Sequence, residues 1–403
     1  MLGLLNDAAR RDPFPLYDQA RARTPVLRDP ASGVWMLFDY ESVRRALNDP
    51  AVFSSVVSPP DSRPGRWLIF SDPPRHTHLR ALIMRAFTPR AVAGLEPRIR
   101  RISATLLDGV MERGEMELVA EYAVPLPLMV IAEMLGAPAE DHPRFRRWSK
   151  AIVNLILTLS GGEAAERAVA AFAAVHAEMQ PYVAALVDER RITPRDDLLT
   201  RLVQAEVEGH RLGDEDILGF FQLLLLAGHE TTTNLIGNAV LCLLDNPDQL
   251  RLLRTVPELL PTALEEVLRY RSPVQAAFRA TQRDVEVRGQ TIPAGQLVLA
   301  LIGSANRDPA HFRDAGRFDA ARTPNPHVAF GHGIHFCIGA PLARLEARIA
   351  LGDLLARTRM LACADGGAWE PRPAFHVHGP DRLSLRFEAA DRPAAARPAA
   401  LPL

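Results

Sequence analysis

A single cysteine in a glycine-rich segment constrains this chain more than any other feature. The segment runs Phe330-Gly331-His332-Gly333-Ile334-His335-Phe336-Cys337-Ile338-Gly339. Glycine tolerates positive φ and lets backbone approach closely, so successive N–H groups can turn toward one sulfur. Ala340-Pro341-Leu342 then opens an apolar-periodic helix, with Pro341 suited to the first turn. The positive end of that helix is expected to lower the thiol pKa. Cys242 and Cys363 are distant in sequence and form no CxxC, so they read as packed thiols of a reducing compartment. A thiolate without cysteine partners calls for a metal whose other ligands are not protein side chains. Haem iron answers that description.

Composition excludes several classes. A net charge of −1 gives no case for nucleic acid as a partner. The apolar runs near Leu223–Ala227 and Ala151–Leu159 are far short of a membrane span. The N-terminus has no basic region followed by a long apolar run, so no signal peptide is expected and the protein reads as soluble and cytoplasmic. The single lysine, Lys150, among 47 basic residues reads as genomic base composition.

The 403 residues would allow two or three domains, but no interior linker or repeat divides them. Helical spacing dominates, over Glu96–Val110, Glu163–Arg191 and Asp214–Leu244, the last with Asp214 as N-cap and Asn246-Pro247 as its stop. Strand signals are short: Val34–Phe38, a hairpin of Val285–Val287 and Thr291–Ile292 turning on Arg288-Gly289-Gln290, Gln296–Ile302 and Arg382–Phe387. The expectation is a mainly α (α+β) single unit over 1–388, with a minor sheet tying the chain ends together. The Ala/Pro/Arg tail, 389–403, reads as disordered.

The centre of the long helical pattern is Leu226-Ala227-Gly228-His229-Glu230-Thr231-Thr232-Thr233-Asn234. A glycine, an acid and three threonines are costly in a buried helix. Threonine hydroxyls that bond the carbonyl at i−4 would loosen a turn and open a groove for a small ligand. Glu230 with Thr231 then offers an acid and a hydroxyl for moving protons, against the alternative of a solvated kink. His229 alone reads as a satisfied histidine.

Glu266 and Arg269 share a helix face. By spacing alone they are a surface salt bridge; the functional alternative is a buried pair joined by Arg317 of Gly316-Arg317-Phe318-Asp319. His76, Arg80, Arg279 and His335 are donors scattered in sequence, and together they suit one dianion such as the two propionates of haem.

Four motifs stand in order: Ala-Gly-His-Glu-Thr-Thr at 227–232, Glu-Val-Leu-Arg at 266–269, Gly-Arg-Phe-Asp at 316–319, and the cysteine segment at 330–339. The chain resembles the soluble bacterial members of the cytochrome P-450 family from about Asp12 to Phe387. The resemblance implies the triangular fold of that family, with haem b between the long helix and the cysteine loop. Cys337 resembles the proximal iron ligand, with Phe330 and Gly339 in its loop. Ala227, Gly228, Glu230 and Thr231 resemble the dioxygen-binding and proton-delivery element. Glu266, Arg269 and Arg317 resemble the structural triad, and His76, Arg80, Arg279 and His335 the propionate contacts. Asp314-Ala315 precedes Gly316-Arg317 where the family usually has a proline before the acid of this motif, which makes Arg317 a departure.

The implied reaction inserts one atom of dioxygen into an unactivated C–H bond (or epoxidises). Two electrons come from NAD(P)H through a ferredoxin and ferredoxin reductase, or a flavodoxin-type donor, because the chain carries no flavin or Rossmann segment. The donor would dock near Cys337, attracted by Arg344 and Arg348 or by Arg75 and Arg85. The substrate is expected to be an apolar, medium-to-large molecule. Its pocket would be lined by the loop between Phe53 and Phe70, Leu224, Ala227, Val274–Ala277 and Phe375–Val377, with Gln275 and His376 as polar contacts. The alternatives are a peroxide-driven enzyme of the same fold and a haem-binding sensor or electron carrier.

Overall fold

The structure, a computed structural model, describes residues 6–58, 62–155, 162–364 and 366–390. Helices make most of it, and one apolar core runs through Glu96–Met111, Pro125–Met134, Asp214–Ala227, Glu230–Asp245, Leu260–Tyr270 and Ala340–Arg357. Each fully buried Leu or Phe there contributes roughly 1.5–3 kcal/mol. The Ala340–Arg357 helix packs against Glu96–Met111, Leu260–Tyr270 and Glu230–Asp245, so the segment after Cys337 is fixed to the centre of the molecule.

The helix expected over Asp214–Leu244 is two helices. Asp214–Ala227 ends at Gly228, and a second starts at Glu230 and runs to Asp245. Gly213, not Asp214, is the N-cap, and Asp214 opens the first turn. The expected stop holds: Asn246 caps the second helix and Pro247 begins the next.

The strands fall in separate sheets. A five-stranded sheet has the order Val26–Arg28, Trp35–Leu37, Leu297–Ala300, Ala277–Thr281, Phe53–Ser54. Trp35–Leu37 and Leu297–Ala300 run parallel and the other pairs antiparallel. The C-terminal strand Ser384–Ala389 lies instead between Thr358–Cys363 and Glu115–Glu117. One sheet tying both chain ends is therefore corrected to two: alternation alone identifies a strand but not its neighbour. The hairpin is present as Val285–Val287/Gln290–Ile292, but Gln290 pairs with Val287 instead of lying in the turn, which leaves Arg288 and Gly289, at φ 51° and 74°, as the two-residue turn. Ala389 and Ala390 are ordered parts of the structure, and the rest of the expected tail, 391–403, lies outside the described residues.

Candidate functional site

The helix break comes from hydroxyls competing for backbone carbonyls. Thr231 Oγ1 donates to the Ala227 carbonyl at 2.5 Å and Thr232 Oγ1 to that of Gly228 at 3.2 Å. Ser149 Oγ donates to the Leu225 carbonyl at 3.1 Å. These are carbonyls an uninterrupted ladder would use. Thr233 reaches outward to the Ala123 carbonyl at 2.9 Å. Gly228 fits tightly, because a Cβ there would lie 2.9 Å from the Leu224 carbonyl oxygen and 3.0 Å from Ile131 Cδ1. His229 points away from the groove, its Nδ1 3.0 Å from Ser149 Oγ.

Glu230 is buried at the break and lines the same cavity as Thr231, Ala227 and Gly228. Burial raises its pKa above the carboxylate range, opposed by Arg372, with Asp381 adding to the rise. Its carboxyl thus holds a proton more readily than a free acid. Thr231, the next residue, carries a hydroxyl that can both donate and accept.

The cysteine loop faces this break across the cavity, which Cys337 and Gly339 also line. The Cys337 N–H closes the loop on the Phe330 carbonyl at 2.9 Å. Gly331 and Gly333 have φ of 76° and 68°, and a Cβ on Gly333 would lie 3.0 Å from Asn48 Cα. Burial pushes the Cys337 thiol up, outweighing the N–H groups of Gly339 and Ala340 and the guanidiniums of Arg80 and Arg344. The lowering expected from the helix end is overturned because the apolar wall dominates. A sulfur in such a place becomes a thiolate by binding a cation. The loop is clamped from outside. Arg344 lies 4.4 Å over the Phe330 ring and forms a bidentate pair with Glu265 at 2.7 and 2.8 Å, while His327 meets Glu265 at 3.1 Å. Glu265, His327 and Arg344 were not singled out as a clamp in the sequence, because nothing in their spacing links them.

Arg80, Arg279 and His335 line the cavity, and His76 stands against His335. The His76 and His335 rings are 4.3 Å apart, and both nitrogens of His76 and Nε2 of His335 are buried without a hydrogen-bond partner. Burial, His76, Arg279 and Arg80 push His335 down to about 3. Burial pushes Arg279 down to about 10, and His76 and Arg80 are lowered too, each by burial first. Four cationic groups driven toward neutrality at one place fit an anion. The neighbouring carboxylate, Asp72, is engaged by Ser54 and the Ser55 N–H.

Glu266 and Arg269 are fully buried, not a surface bridge. The third cation is Arg322, whose Nε lies 3.0 Å from both Glu266 oxygens. Arg317 is corrected: its side chain is exposed, and it contributes only its carbonyl, to Arg269 at 3.0 Å. The chain turns between Gly316 and Ala320 so that the next arginine points inward. The departure at Asp314-Ala315 was the one signal of this.

The cavity between the break and the loop has a volume of about 1190 Å³. Leu224, Val274, Ala277 and His376 line it, as do Trp67–Phe70. The Val274 and Phe375 segments are brought together by a bridge between Val274 and Val377 and by Gln275 N–H to the His376 carbonyl at 2.7 Å. Gln275 itself does not line the cavity. Its amide donates to the Ser272 carbonyl at 2.6 Å and packs on Gly303, where a Cβ would meet it at 1.9 Å. Burial pushes His376 down to about 4, so it is a neutral imidazole at the wall.

The cations proposed to attract a partner are mostly committed. Arg344 pairs with Glu265, Arg348 with Glu96 and Arg75 with Asp216. Arg85 is exposed, as are the apolar Met84 and Phe336, each 42 % exposed.

A family model described as Cytochrome P450 matches residues 27–255 and 256–379. The chain is 41% identical over 367 residues to a protein named putative cytochrome P450 YjiB of Bacillus subtilis (strain 168), covering 89% of this chain and 91% of that one. It is 43% identical over 368 residues to a vitamin D(3) 25-hydroxylase of Pseudonocardia autotrophica, covering 88% and 89%. The crystal structure of CYP109E1 from Bacillus megaterium in complex with testosterone superposes with a TM-score of 0.86 at 40% identity, covering 93% of this chain and 99% of that one.

Proposed function

The chain belongs to the cytochrome P450 family and is an oxidoreductase of the monooxygenase type, and from that premise we propose that it hydroxylates or epoxidises an apolar, medium-to-large organic substrate. The observation that carries the reading is the apolar cavity with one thiol on one wall and, on the other, the buried acid Glu230 and the half-buried hydroxyl of Thr231. The residues fit haem b. Cys337 would be the iron ligand, and the unpartnered His76 and His335 nitrogens, with Arg80 and Arg279, would hold the two propionates. When bound, the haem supplies dioxygen activation, favoured by thiolate donation.

The chain's own residues do the rest. Gly339 and Ala340 N–H groups hold the sulfur's charge. The break at Gly228 leaves room beside Ala227 for the diatomic co-substrate. Glu230 holds the proton and passes it to Thr231 Oγ1, which gives it into the groove. Apolar walls exclude bulk water and position the C–H bond. Leu224, Val274, Ala277 and His376 contact the substrate. Glu266, Arg269 and Arg322 hold the scaffold behind the loop.

Electrons come from NAD(P)H through a separate ferredoxin and reductase, the ferredoxin docking by the exposed Phe336 next to Cys337. The relatives' names point the same way on substrate: one is a vitamin D(3) hydroxylase and one neighbour holds testosterone. Among the described residues no helix is long and apolar enough to cross a membrane. The test is the absorption spectrum of the reduced, carbon-monoxide-bound protein. A long-wavelength thiolate Soret band is expected; its absence overturns the reading.

A further inference from the structure

Three segments around the cavity meet in one buried hydrogen-bonded chain. Trp67 Nε1 donates to Gln222 Oε1 at 3.1 Å. Gln222 Nε2 stands 2.8 Å from His176 Nδ1. Its contact with Met179 Sδ is 3.8 Å. Trp67 and Gln222 are buried. The roles are fixed by chemistry: an indole N–H only donates, so the Gln222 oxygen accepts, its nitrogen donates, and His176 Nδ1 is the acceptor. Gln222 therefore has one orientation.

Trp67 lines the cavity; Gln222 does not. The indole stacks near Phe70 at 6.2 Å and meets Phe172 edge-on at 6.3 Å, and both rings also line the cavity. Gly219 marks where this aromatic wall meets the Asp214–Ala227 helix, since a Cβ there would lie 3.7 Å from Trp67 Cδ1. Ala227 is eight residues further, about 12 Å along the axis at ~1.5 Å per residue.

We propose that Gln222 is a positioning residue for substrate size: by holding the Trp67 indole across the far end of the cavity, it selects apolar molecules about 12 Å long whose far end packs on that ring. The inference rests on the cavity being the substrate pocket of a haem-thiolate enzyme. A tethered aromatic wall costs little entropy when a ligand docks on it, whereas a free one would have to be ordered at that moment.

The test uses the haem-loaded protein and a series of straight-chain alkylimidazoles, which report occupancy by a Soret shift without turnover. In the wild type, affinity rises with chain length to an optimum and then falls. Gln222→Leu and, separately, Trp67→Phe are expected to move the optimum to longer chains and to weaken the wild-type optimum ligand about fivefold, the effect of one lost hydrogen bond. The shortest ligand binds as in wild type. An unchanged length profile in both variants overturns the proposal, as does equal loss at every length, which would mark a scaffold role. A wild type that lacks the thiolate Soret band overturns the haem-thiolate reading itself, and the inference with it.

Discussion

Arg269 spends two of its N–H groups on a single carboxylate, that of Glu266, three residues earlier on the same helix, with Nε and Nη2 each at 2.7 Å. Its other donors go to the carbonyls of Asn306, Ala315 and Arg317 at 3.1, 2.8 and 3.0 Å. Arg322, Asn325 and the Asp319 N–H complete Glu266. A buried charge pair is stabilising only when its remaining groups are satisfied, and removing one partner costs about 3–5 kcal/mol. Arg269→Met is expected to lose that much, read as a lowered thermal midpoint and poor haem retention. Arg322→Met is expected to cost about 2 kcal/mol, whereas Arg317→Ala stays within ~0.5 kcal/mol. Equal effects of the last two would restore Arg317 to the network.

Thr231 and Glu230 stand at the break with separable roles. Thr231→Ala removes the hydroxyl that bonds the Ala227 carbonyl. Reductant consumption is expected to continue while product falls and hydrogen peroxide rises. Unchanged product per NAD(P)H would remove Thr231 from proton transfer. Glu230→Gln keeps shape and burial but cannot exchange a proton, so turnover is expected to fall by roughly 10²-fold with substrate affinity retained. Stopped-flow and product assays check both.

The sequence made the chemistry legible and left the wiring hidden. Cys337, Gly331 and Gly333 could be read because a thiolate loop needs glycine where φ is positive. The acid and threonines at the break could be read because they are costly in a buried helix. Arg322 could not, because whether an arginine points in or out depends on a turn, not on a motif. Gln222 sits in an apolar helical run, and only the arrival of Trp67 and His176 from elsewhere in the chain gives its amide a purpose. Gln275 showed the reverse: beside cavity-lining Val274, it is committed to the Ser272 carbonyl.

The donors Arg80, Arg279, His335 and His76 should govern haem retention. Single replacements Arg279→Leu, Arg80→Leu and His335→Phe each delete one charge-assisted bond to a propionate, worth about 1.5–3 kcal/mol. Haem loss to excess apomyoglobin is expected to speed up by roughly 10- to 100-fold for each. Retention unaffected by all three would place the propionates elsewhere.

The clamp behind the cysteine loop carries a pH signature. Burial alone would raise the Glu265 pKa, but the hydrogen bonds and charges of Arg344 and His327 outweigh it and hold the carboxyl down at about 2, from an ordinary 4.5. A depressed acid binds its proton less readily folded than unfolded. Its contribution is therefore fully present above about pH 4.5 and fades as the pH falls toward about 2. Glu265→Gln should be less stable than wild type at pH 7, and the gap between their thermal midpoints should close on acidification through that window. A gap that stays constant from pH 7 down to pH ~3 would mean that Arg344 and His327 stabilise the loop without depending on the charge of Glu265. The same variant should leave the shape of the cavity unchanged, because Glu265 lies behind the loop and not on its wall.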